Sequence, residues 1–118
     1  MNDATPQYMV QGKRASSLEY RIAVSLTKLQ IPFRFQVPYR GGTLLPGGSV
    51  LDFVVNVPFE RVVEAMGEYW HTQGRGPDEF LREQLILMTY HYPVIYIWGN
   101  EARTQEECDQ TVRSKVKQ

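Results

Sequence analysis

Two acidic residues stand inside apolar runs that read as strands, and these are the side chains best placed to do chemistry. Asp52 interrupts Val50-Leu51-x-Phe53-Val54-Val55, and Glu64 follows Val62-Val63 and precedes Gly67-Glu68-Tyr69-Trp70-His71. A carboxylate in a buried strand costs free energy unless something binds it, and a divalent cation is a common solution. Hydrolysis of a phosphodiester needs the phosphate charge neutralised and hydroxide generated near neutral pH, and a carboxylate-bound Mg2+ does both. Mg2+ takes hard oxygen ligands at about 2.0–2.1 Å and keeps part of its water, so two carboxylates and a backbone carbonyl suffice. Mn2+ is expected to substitute. The competing reading of Asp52 is a strand-edge carboxylate bonded to backbone amides.

The elements that must position these acids follow from periodicity and turn chemistry. Ala15 to Leu29 predicts a helix, with Leu18, Ile22, Leu26 and Leu29 on one face and Ser16-x-x-Glu19 as a capping box. That box gives Glu19 a structural role of its own. Pro32 ends the helix, and Phe33 to Val37 alternates so that Phe33, Phe35 and Val37 share one strand face while Arg34 and Gln36 share the other. Residues 38–48 carry four glycines and two prolines, the composition of a loop or wide hairpin tip. The second strand spans 49–57, with Leu51, Phe53, Val55 and Val57 on one side and Asp52 on the other; the third spans 62–69, where Gly67 permits a bulge. Pro77, Asp78 and Glu79 open a second helix to Tyr90, with Phe80, Leu81, Leu85 and Met88 as its buried stripe. Val94 to Trp98 reads as a buried strand, and Thr104-x-x-Glu107 caps a C-terminal helix. His91, at the end of the second helix, has a structural reading. The order α-β-β-β-α-β-α predicts an α/β fold, a mixed four-stranded sheet flanked by helices, with residues 1–13 a loose arm and 14–118 one domain.

Composition narrows the function classes. One cysteine, Cys108, allows no internal disulfide, and with only His71 and His91 the chain lacks the soft ligands of a structural zinc site. No run of about 18 apolar residues and no apolar signal core is present, so the expectation is a cytoplasmic protein without a membrane anchor. Gly41, Gly42, Gly47 and Gly48 do not follow a phosphate-loop spacing, which argues against a nucleotide cofactor. The net charge is zero but uneven: residues 11–48 hold six basic residues against Glu19 alone, whereas from 49 onward seven basic residues face eleven acidic ones. A polyanion would find a basic half opposite an acidic centre; a plain solvated surface is the alternative.

The order of acids and strands over residues 15–100 resembles the PD-(D/E)xK nuclease superfamily, and within it the very-short-patch-repair endonucleases and their small relatives. Ser17-Leu18-Glu19-Tyr20-Arg21 is similar to the first-helix glutamate segment, Ile31-Pro32-Phe33-Arg34-Phe35-Gln36-Val37 to the strand IPFxxQ, Val50-Leu51-Asp52-Phe53-Val54 to the metal-binding aspartate strand, and Glu64-Ala65-Met66-Gly67 with Trp70-His71 to the third strand and its Trp-His step. The resemblance implies a restriction-endonuclease-like core in which Asp52, Glu64 and the Ala65 carbonyl bind Mg2+, with Glu19 outside that shell. It also exposes two departures: Leu51 replaces the usual proline, and Met66 occupies the place of a lysine that would stabilise the attacking water. A thioether cannot carry that charge. His71 is the substitute the resemblance implies, with an ordinary pKa of about 6.5 suited to acid–base work. Either His71 moves the proton, or the metal alone makes the nucleophile, or the site is inactive.

The expectation is therefore a Mg2+-dependent DNA endonuclease or nickase of DNA repair, recombination or mobile-element processing. Catalytic candidates are Asp52, Glu64, His71 and Glu19, and DNA-contacting candidates are Arg14, Arg21, Lys28, Arg34, Gln36, Arg40 and Trp70, the last as a base-stacking or packing ring. A homodimer would serve double-strand cutting. The alternatives are a catalytically inactive nucleic-acid-binding module on the same fold and a protein-interaction domain with structural acids.

Overall fold

A computed structural model describes residues 7–38, 50–67 and 77–117. Its sheet has the order β3-β4-β5-β6, from Phe33–Pro38 (β3), Val50–Val55 (β4), Arg61–Met66 (β5) and Ile95–Trp98 (β6). β3, β4 and β5 are antiparallel neighbours, and β6 lies parallel to β5 after the helix Pro77–Tyr90 (α2). A parallel pair needs such a crossover, and an antiparallel pair needs only a turn.

Successive strand residues face opposite sides, which divides the apolar residues into two cores. Phe35, Phe53, Val55, Val63 and Ile97 pack on one face against Ile22 and Leu26 of the helix Ser17–Lys28 (α1) and against Cys108 and Val112 of the helix Gln105–Lys115 (α3). On the other face Leu51, Val54 and Val62 pack against Ile86 of α2. The two helices of the first face are tied at their polar edge by Asp109, which accepts from Ser25 at 2.6 Å, Gln105 at 2.9 Å and Lys28 at 2.9 Å. Burial alone would raise the Asp109 carboxyl, but these three donors and the Lys28 charge hold it at about 2. Burial pushes the Cys108 thiol up, so this cysteine packs rather than reacts.

Four expectations need correction. Within the arm expected over residues 1–13 the described part is a hairpin: Tyr8–Val10 (β1) and Lys13–Ala15 (β2) pair across Gln11-Gly12, both at positive φ as a type I′ turn requires. This hairpin covers the sheet edge, since the Gln11 amide bonds Phe33 O and Phe35 N, and Lys13 bonds the carbonyls of Phe35 and Gln36. The buried stripe of α2 is also displaced. Phe80, Leu81 and Met88 are exposed, Leu85 is partly buried, and Ile86 alone among the helix's described side chains is fully buried. The packed face runs through residues 82 and 86, about 135° round the helix from the centre of the expected one.

The third correction concerns strand faces. Val37 packs with the α2 core although Phe35 packs with the other, and Leu51 parts from Phe53 in the same way. β3 and β4 change sides at Gln36 and Asp52, where Gln36 sits at φ +53. Last, β5 ends at Met66, short of Tyr69.

Candidate active site

The change of face in β4 places the two acids together. Backbone pairing of β4 with β5 runs through Phe53↔Val63, and one step further sets Asp52 opposite Glu64. There side chains take over from backbone: the Asp52 amide donates to Glu64 Oε2 at 2.9 Å, and the Ala65 amide donates to Asp52 Oδ2 at 2.8 Å. Each carboxylate thus bonds the other strand's backbone, which fixes both head groups in the gap where the strands part. Glu64 is 6 % exposed. Across the sheet the same row holds Gln36, between the β3–β4 pairs Phe35↔Phe53 and Val37↔Leu51, and Tyr96, paired with Glu64.

Two adjacent residues of α2 reach this row. Arg82 Nη1 lies 2.7 Å from Glu64 Oε1, and its Nη2 donates to the Val50 carbonyl at 3.1 Å. Glu83 accepts a short hydrogen bond from the Tyr96 hydroxyl. The Arg82 charge does not balance the site. Burial, then the charge of Glu64, pushes the Asp52 carboxyl up to about 7, against the Ala65 amide that favours its ionised form; Glu19 adds to the rise and Arg82 opposes it. Two carboxylates sharing a pocket with one guanidinium leave an excess of negative charge.

The site gathers Asp52, Glu64 and Ala65, with Glu19 close enough to act on Asp52. Glu19 also makes the expected capping box, accepting from the Ser16 amide at 2.8 Å while its own amide donates to Ser16 Oγ at 3.1 Å. The basic candidates are dispersed. Arg21 Nε is committed to the Ala102 carbonyl at 2.7 Å, Lys28 to Asp109 at the far end of α1, and Arg34 to Glu60 at 3.1 Å. Arg14 is exposed on the hairpin, and the Gln36 amide donates to its carbonyl at 3.4 Å. His71, Trp70 and Arg40 lie outside the described residues. Arg82 is absent from the candidates that the sequence offers; its signal is its place four residues before Ile86, on the packed face of a helix whose other charged residues are acidic.

The donors suit a hard divalent ion. Two carboxylates carry unbalanced charge, and oxygen is the only donor atom they offer. Among the described residues no three His, Cys, Asp or Glu side chains form a metal cluster, so the acids are a pair rather than a closed cage.

No protein-family model matches the chain, and no curated protein matches it. Among solved structures it is similar to the catalytic domain of the homing endonuclease I-Bth0305I, with a TM-score of 0.55 and 17 % identity over 85 % of this chain and 93 % of that one. The two share a fold.

Proposed function

We propose that this chain is a metal-dependent DNA endonuclease or nickase. What carries the reading is one observation: Asp52 and Glu64 face each other across β4 and β5, each anchored on the other strand's amide, in a fold shared with a homing-endonuclease catalytic domain. Asp52, Glu64 and the Ala65 carbonyl hold the ion, Mg2+ or Mn2+. When bound, such an ion would neutralise charge on a phosphate and make a coordinated water more acidic. The protein's share is positioning. The two amide bonds lock the carboxylates before the ion arrives, so little ordering remains to be done on binding. Glu19, fixed by its cap to the start of α1, adds negative potential behind Asp52. His71 is the acid or base in place of the lysine that Met66 replaces. Arg14 offers exposed charge to the phosphate backbone of DNA, and Lys28 and Arg34 would exchange their acid partners Asp109 and Glu60 for it, with Gln36, Arg40 and Trp70 as further contacts. Double-strand cutting would call for a homodimer.

The test is nicking of supercoiled, mismatched and branched DNA with Mg2+ or Mn2+. Cleavage is expected with wild type and absent with Asp52→Ala; undiminished cleavage by purified Asp52→Ala protein would overturn the proposal. The second reading, an inactive DNA-binding module, is favoured by Met66 and predicts salt-dependent DNA affinity without turnover under any ion.

A further inference from the structure

β5 and α2 run past each other in step. Ile86 packs in the core that holds Val62, and Arg82, one helical turn earlier, meets Glu64, two strand residues later; both steps cover about 6 Å. Val63 and Ala65 pack on the opposite core, so Glu64 and Met66 share the α2 side of the strand. The helix therefore brings a guanidinium to the side of the sheet on which β5 carries a thioether. That guanidinium spans both acid-bearing strands, through Glu64 of β5 and the Val50 carbonyl of β4, and its side chain remains 23 % exposed.

A divalent ion and Arg82 both require Glu64. A buried carboxylate stripped of its counter-charge is costly, and an arriving dication removes that cost while repelling the guanidinium. Arg82 is already partly open to solvent and is planar and permanently charged, which suits it to grip a phosphate through two parallel hydrogen bonds.

We propose that Arg82 is the phosphate-contacting residue of this site, held on Glu64 until a divalent ion takes that carboxylate. The proposal rests on the endonuclease reading for its substrate, and its test uses binding alone. Calorimetric titration with Mn2+ in the absence of DNA is compared for wild type, Arg82→Gln and Arg82→Lys, each first checked for native circular dichroism. With its competitor gone, Arg82→Gln is expected to bind Mn2+ about tenfold more tightly. Unchanged or weaker Mn2+ affinity overturns the shared-carboxylate arrangement. Fluorescence anisotropy of a labelled duplex in Ca2+ supplies the second arm. Arg82→Gln is expected to bind about tenfold more weakly and with a shallower salt slope, and Arg82→Lys within about twofold of wild type. Equal DNA affinity for Arg82→Gln and wild type in Ca2+ overturns the phosphate contact. A wild-type protein that binds but never cuts would sink the endonuclease reading, while the assignment of Arg82 is still decided by these two affinities.

Discussion

Asp52 is a carboxyl whose folded surroundings disfavour its ionised form. Its folded-state pKa of about 7 stands well above the ordinary 3.8, because burial and the Glu64 charge disfavour ionisation. Between those values the folded protein binds more protons than the unfolded chain, so the stability of ion-free protein falls as pH rises from about 4 to 7. Asp52→Asn keeps an oxygen for the Ala65 amide and removes the charge. Thermal denaturation in EDTA is expected to show a flatter pH dependence for this variant and a melting temperature several degrees above wild type at pH 8, together with loss of cleavage. A wild-type melting temperature that rises from pH 5 to 8 would contradict this account. Asp52 does bond a backbone amide, that of Ala65, yet burial beside Glu64 still disfavours its ionised form.

The helix α2 illustrates why elements are easier to recognise than to orient. Its span follows from Pro77 and the acidic first turn, but its sequence offers apolar residues on more than one face, and the sheet selects the one through Ile86. Ile86→Ala is expected to cost about 2–3 kcal/mol in urea denaturation and, by loosening Arg82 from Glu64, to weaken cleavage. Met88→Ser, at 73 % exposure, is expected to stay within about 0.5 kcal/mol of wild type. Equal costs for the two would restore the stripe expected from the sequence. Caps behave differently. The Ser16–Glu19 box forms in full, whereas of the second box expected at Thr104–Glu107 only the Glu107 amide to Thr104 Oγ1 bond forms, the Glu107 carboxylate accepting from the Arg103 amide instead.

Across the molecule, charge that is uneven along the chain becomes paired in space. Lys28 and Arg34 come from the basic half, and each meets an acid from the acidic half, Asp109 and Glu60. The acid pair keeps an excess of negative charge beside Arg82, and a ligand for it should be visible in global stability. Mn2+ at about 100 times its dissociation constant is expected to stabilise wild type by about 2.7 kcal/mol and to leave Asp52→Ala unaffected, as read by thermal shift. No shift in wild type would remove the metal site. Taken alone, the sequence determined the α/β order, the cap positions and the two acids with their strands, because periodicity, capping and burial of charge are written in residues close along the chain. It also carried a resemblance consistent with the fold shared with a homing-endonuclease catalytic domain. Only the tertiary structure decided the face changes at Gln36 and Asp52, the hairpin on the sheet edge, the packed face of α2 and the meeting of Arg82 with Glu64. Each of these is settled by a partner many residues away, where register between strands and the seating of a helix on a sheet choose among faces that local sequence leaves open.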